Sequence, residues 1–213
     1  MPWNFPKIYP ILNASVIPVT GRSQFLLRLG CELAEAGVTL LEYRNKTGLV
    51  TEILADAAIL RSAMHGPEIK LILDDRVELV ETLGFDGVHV DAGDLSPGAA
   101  RERLGAGHIV GTYGGTEALL PNILMQPANY FSIGPIGPTQ TKQTAKTPIG
   151  PEGVRKLREE AGMDPVLVAV GGVTLENAAA VLAAGASAVA VSAAIFRTPK
   201  PAEEFRRWRE QLT

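Results

Sequence analysis

Short apolar runs recur along the chain, separated by segments with helical patterning, and that alternation predicts a parallel sheet covered by helices. Eight runs read as strands: Ile8–Leu12, Thr39–Tyr43, Lys70–Leu73, Gly87–Val90, Ile109–Thr112, Tyr130–Ile133, Val166–Val170 and Ala188–Ser192. Between them, apolar residues fall at helical spacing. Phe25, Leu26, Leu29 and Leu33 share one face, as do Val77, Val80 and Leu83, and later Phe205, Trp208 and Leu212. Eight strand–helix units with no break in composition predict an α/β fold: one closed (β/α)8 TIM barrel of eight parallel strands, with residues 1–213 as a single domain. A doubly wound open sheet fits the same alternation and remains the structural competitor. The segment Glu117–Ala128 carries Pro121 and Pro127 and has room only for a short helix.

Length and charge narrow the picture without changing it. A chain of 213 residues is short for a barrel of this kind, which takes about 250, but stays inside the tolerated range. The formal net charge of −3, with no long basic run, gives no electrostatic support to a nucleic-acid or membrane-surface partner. The single Cys31 excludes an intrachain disulfide and a cysteine metal cluster. No stretch approaches the roughly 18 apolar residues needed to span a bilayer. The N-terminal MPWNFPKIYP lacks the apolar core of a signal peptide, so a cytoplasmic location is the expectation.

Barrel enzymes build their sites where strands end and loops toward helices begin. Here those places are consistently polar: Glu42, Arg44 and Lys46; Asp74 and Asp75; His89, Asp91 and Asp94; Tyr113; Thr139, Thr141 and Lys142; Gly171 and Gly172; Ser192. Gly171-Gly172-Val173 joins an apolar strand to a helix beginning near Thr174. Glycines there let the backbone approach a phosphate, though a tight turn needs them equally. The run through Ser192 and Ala193 ends the next strand, again with small residues. Asp75 and Asp94, with Asp74 adjacent, fit a hard divalent cation such as Mg²⁺. Asp75 alone also fits a cap for a helix starting at Arg76. Arg44 and Lys46 alternate onto one face, and with Lys142 they suit a diphosphate or, taken singly, plain solvated charge. His89 stands alone among apolar residues and reads as a packed or hydrogen-bonded histidine.

Taken together, five stretches resemble thiamine phosphate synthase over nearly the whole chain. They are Ala36–Lys46, Leu71–Leu79, Asp86–His89, Ile133–Lys142 and Val170–Asn177. The resemblance implies a Mg²⁺-dependent transferase that joins hydroxymethylpyrimidine diphosphate to a thiazole phosphate with release of pyrophosphate, by a dissociative mechanism. It implies that Arg44, Lys46 and Lys142 act on the diphosphate and that Asp75 and Asp94 bind the metal. Thr139, Thr141, Gly172 and the backbone near Ser192 and Ala193 would hold the thiazole phosphate. Glu42, Asp74 and Tyr113 would face the pyrimidine end. The resemblance leaves a homo-oligomer open.

The chain departs from the family's usual pattern at that same end. Gln is usual at Glu42, Asn at Asp74, Gly-Gln at Asp91-Ala92, and a small Ser with a nearby His at Tyr113 and Gly115. The added carboxylates are expected to oppose a diphosphate, because like charges about 4 Å apart cost roughly 4 kcal/mol at an effective dielectric near 20. Two alternatives therefore stay open: an isomerase resembling the thiazole tautomerases, and a catalytically degenerate barrel that binds a phosphorylated metabolite. An aldolase would need a Schiff-base lysine at the end of an inner strand, and Lys46 and Lys142 suit phosphate better.

Overall fold

Eight parallel strands pair in chain order, and the eighth closes on the first. They are β1 (Ile8–Asn13), β2 (Leu40–Arg44), β3 (Lys70–Asp74), β4 (Gly87–Val90), β5 (Ile109–Gly115), β6 (Tyr130–Ile133), β7 (Leu167–Val170) and β8 (Ala188–Val191). A computed structural model describes residues 4–138 and 146–212. The expected closed barrel is therefore present, and the open sheet is excluded.

The helices are α1 (Arg22–Glu35), α2 (Val50–Ala63), α3 (Val80–Leu83), α4 (Pro97–Leu104), α5 (Gly150–Ala161), α6 (Leu175–Ala183), α7 (Ala193–Phe196) and α8 (Pro201–Leu212). The connection from β5 to β6 has only a 3-10 turn, Ile123–Met125. Pro121 and Pro127 bracket that turn, and Arg101 of α4 fastens its exit by donating to the carbonyl of Pro127 at 3.3 Å and to Asn129 Oδ1 at 2.6 Å. The last strand is followed by two helices, short α7 and then α8. Trp208 on α8 is fully buried against the barrel, a contact worth roughly 3 kcal/mol.

Side chains alternate along each strand, so every second residue faces the barrel interior. One parity packs against the helices in a large apolar layer that includes Leu41, Tyr43, Leu71, Leu73, Val88 and Val110. The other parity fills the interior with Tyr9, Leu40, Ile72, Tyr130, Val168, Ala188 and Ala190. Small residues on β8 and a glycine on β5 leave volume for two tyrosines. A Cβ built on Gly111 would fall 1.9 Å from Cζ of Tyr130, so the ring occupies the space a side chain would take. Toward the C-terminal strand ends the same inward parity carries Glu42 and Arg44, Asp74, His89, Tyr113, Ser132 and Ser192. The site is thus the continuation of the interior core, with apolar side chains giving way to polar ones.

Candidate active site

A cavity of about 470 Å³ opens at the C-terminal ends of the strands. Glu42, Arg44, Asp74, His89, Asp91 and Tyr113 line one part of it, and Gly171, Gly172, Ser192, Ala193 and Arg197 line another. A size of this order suits a drug-sized ligand held by a few polar groups in an apolar wall.

At the first end, two cations interlock with several carboxylates. The guanidinium of Arg44 donates to Asp74, and the ammonium of Lys46 stands 3.5 Å from the same carboxylate. Lys46 also lies 3.9 Å from Asp75 and 3.2 Å from Asp94. Burial pulls the basicity of Arg44 and Lys46 down, but their carboxylate neighbours outweigh it and hold both cations above their ordinary range. Lys46, Asp75 and Asp94 do not line the main cavity. They form a cluster beside it, reached through Asp74. Lys46 also lines a polar hollow of about 410 Å³ that shares Arg44 with the cavity.

The loop that carries Lys46 is fixed from behind. Asn45 donates to the hydroxyl of Tyr43 at 3.1 Å and to Glu52 at 2.8 Å, and accepts from the Gly48 N–H at 2.9 Å. Tyr43 in turn donates to Asp56, a buried carboxylate of α2 that also accepts from Arg22. Asp75 does not cap a helix. It and Arg76 both adopt left-handed backbone, with φ of 63° and 52°, and the 3-10 turn that begins at Val77 has no side-chain cap. Non-glycine residues in that region cost of order 1–3 kcal/mol each and gather at functional sites.

The other end is built from backbone. Gly172 has φ of +68°, and a Cβ there would strike the backbone of Gly137 at 2.3 Å, so two loops meet without side chains between them. Thr174 and Asn177 form a capping box at the start of α6, and Asn177 also donates to the carbonyl of Gly172 at 3.1 Å. The cap therefore braces the glycine turn.

Of the residues singled out from the sequence, Glu42, Arg44, Asp74, Tyr113, Gly172, Ser192 and Ala193 meet around the cavity, with Lys46, Asp75 and Asp94 adjoining. Thr139, Thr141 and Lys142 lie outside the described residues. The sequence reading passed over Tyr9, Tyr130, Lys146 and Arg197, all of which line the cavity. Inward strand parity was the available signal for the two tyrosines. His89 is hydrogen-bonded, as expected, but it also faces the cavity: Nδ1 lies 3.0 Å from the Tyr130 hydroxyl.

A family model described as thiamine monophosphate synthase matches residues 15–195. The chain belongs to the thiamine monophosphate synthase family. A thiamine-phosphate synthase of Koribacter versatilis is 38% identical over 201 residues, covering 94% of each chain. One of Agrobacterium fabrum is 35% identical over 209 residues, covering 97% of this chain and 93% of that one. Among solved structures, a thiamine phosphate pyrophosphorylase from Pyrococcus furiosus matches with a TM-score of 0.77 at 24% identity, covering 97% of this chain and 95% of that one, which supports the barrel. Membership makes the chain an enzyme of the transferase class in thiamine biosynthesis, and favours that over the isomerase and the non-catalytic binder. Among the described residues, no helix is long and apolar enough to cross a membrane.

Within this thiamine monophosphate synthase barrel, the residues that the resemblance marked as unusual have partners. The Asp74 charge is matched by Arg44 and Lys46. Glu42 accepts a hydrogen bond from Tyr9 at 2.7 Å. Asp91 lies 3.8 Å from Nε2 of His89. Tyr113 sits at a register shift between β5 and β6. Its hydroxyl contacts Thr116 and accepts from Lys146 at 2.7 Å, and the residue lines the cavity.

Proposed function

We propose that the chain joins hydroxymethylpyrimidine diphosphate to a thiazole phosphate and releases pyrophosphate. The observation that carries this reading is the two-ended cavity: one end where Arg44 meets Glu42, Asp74 and Asp91, with the Lys46 cluster adjoining, and a glycine-backbone end some strands away. Each end suits one phosphorylated partner.

In this reading Arg44, Lys46 and Lys142 hold the diphosphate. The C–O bond to the pyrimidine's methylene carbon breaks, and its electron pair leaves with pyrophosphate. The thiazole nitrogen then forms a C–N bond to the resulting cation. Thr139, Thr141, Gly172 and the backbone near Ser192 and Ala193 hold the thiazole phosphate, so that the nitrogen faces the carbon. The protein's contribution is to align the partners and match the departing charge. Arg197, whose side chain borders the same end, adds a cation there.

A magnesium ion fits the residues present. Asp75 and Asp94 both reach the ammonium of Lys46, so their carboxylates converge on one region. Two carboxylates completed by phosphate oxygens and water are the donors Mg²⁺ prefers. Held there, the ion would neutralise charge on the diphosphate. Purified protein given both substrates is expected to form thiamine phosphate with Mg²⁺ and lose that activity in a chelator. Product formed equally without the metal would remove Asp75 and Asp94 from the reading. Absence of product from folded protein would overturn the reaction itself.

A further inference from the structure

Glu42 is 3% exposed, yet no lysine, arginine or histidine among the described residues forms an ion pair with it. Its partner is a chain of hydroxyls instead. Tyr9 donates to Oε2 at 2.7 Å, the Tyr9 and Tyr130 hydroxyls are 2.9 Å apart, and Tyr130 lies 3.0 Å from Nδ1 of His89. When Glu42 is ionised, the one proton of Tyr9 goes to it, so the Tyr9 oxygen accepts from Tyr130, whose oxygen accepts from His89. Donors on β1, β4 and β6 are thus strung toward one carboxyl on β2. Burial pushes both phenols well above their ordinary range, so they remain neutral donors.

We propose that Glu42 supplies the counter-charge to a cationic ring formed in the cavity, and that Tyr9 and Tyr130 are positioning residues that hold its carboxylate ready. This rests on the transferase reading above, in which departure of pyrophosphate leaves the pyrimidine's methylene carbon positive. An amide at this position would offer the cation only a dipole. A carboxylate walled off from water offers a full charge whose attraction is little screened.

The surroundings make that charge conditional. Tyr9 faces Glu42 from β1, Arg44 from its own strand, Asp74 from β3, His89 from β4 and Tyr130 from β6; Asp91 beyond β4 and Tyr113 of β5 line the same cavity, while β7 and β8 present Val168 and Ala190. Burial raises the Glu42 carboxyl to about 7, opposed by the charge of His89 and the hydrogen bond from Tyr9. Near neutrality the group is balanced between acid and carboxylate. A cation beside it would complete the ionisation.

The test is the pH dependence of kcat/KM, with kcat and KM resolved, in the wild type and in Glu42→Gln, Tyr9→Phe and Tyr130→Phe, with both substrates and Mg²⁺. Wild-type kcat/KM, which reports the free enzyme, is expected to rise with pH through about 7, because the ionised carboxylate is the active form. Glu42→Gln is expected to lower kcat at least about tenfold, leave both KM values within about twofold, and abolish that rise. Tyr9→Phe removes a donor to the carboxylate, so the rise moves to higher pH and kcat/KM recovers above it. Tyr130→Phe shifts it the same way by less. A merely structural role would lower activity without moving the profile. Unchanged kcat in Glu42→Gln, or a rise that persists in it, overturns the proposal. Should the wild type turn over neither substrate, the transferase reading fails and the counter-charge role with it. The positioned acid is then read from difference infrared spectra of the ligand-free protein. A neutral-carboxyl band titrating near pH 7, absent in Glu42→Gln and shifted in Tyr9→Phe, supports the chain of donors, and an unshifted band overturns it.

Discussion

At Asp74 a single carboxylate decides how far Arg44 and Lys46 are available to a ligand. It is about 1% exposed and engages both Arg44 and Lys46, so a diphosphate that uses these cations must compete with it. Replacing it with the isosteric amide keeps an oxygen for the guanidinium and removes the charge. Asp74→Asn is therefore expected to tighten binding of inorganic pyrophosphate with Mg²⁺ by about tenfold in titration calorimetry, equivalent to about 1.4 kcal/mol. Unchanged affinity would mean that Arg44 and Lys46 are not the groups that hold the anion. The sequence alone made Asp74 look like an uncompensated charge. Its compensation depends on an arginine 30 positions earlier and on the pairing of adjacent strands, which no local spacing displays.

Elements differ in how much of their role a sequence exposes. The β7–α6 unit was nearly transparent: an apolar strand, two glycines and a helical stretch from near Thr174 describe a strand, a turn and a helix. The extra bond from Asn177 to the carbonyl of Gly172 was not visible, because it arises only once the turn has folded back on the helix. The β5–β6 connection was read correctly as too rich in proline for a full helix, and it holds one 3-10 turn. The helix expected from Arg76 starts differently, through two left-handed residues that propensity would not choose. Asn177→Ala removes both the reciprocal cap and the brace on the glycine turn. It is expected to cost about 1 kcal/mol of stability by denaturant unfolding and to raise KM for the thiazole phosphate more than for the pyrimidine diphosphate. Equal rises in the two would indicate general loosening.

Across the whole molecule, the barrel was legible because eight buried strands separated by helices leave a strong periodic trace. The interior was not, because its arrangement is set by register around a closed ring. Tyr9, His89 and Tyr130 come from the first, fourth and sixth strands, 121 positions apart at the widest, and only closure brings them together. Gly111 shows how the ring is made consistent. It pairs with Tyr130 on the neighbouring strand, and the tyrosine ring lies over the space its side chain would fill. Gly111→Ala keeps the strand and changes one methyl group, but that methyl requires the Tyr130 ring to move, since the obstructing atoms include the ring and hydroxyl that join Tyr9 to His89. Overpacking of this kind costs about 1–3 kcal/mol. The expected result is a lower denaturant midpoint with an unchanged m-value, together with the pH-profile displacement expected of Tyr130→Phe. Adding Tyr130→Phe to Gly111→Ala should then displace the profile little further, because the first change has already broken the chain of hydroxyls. Fully additive displacements would show that the two residues act separately, and that the close approach between them serves packing alone.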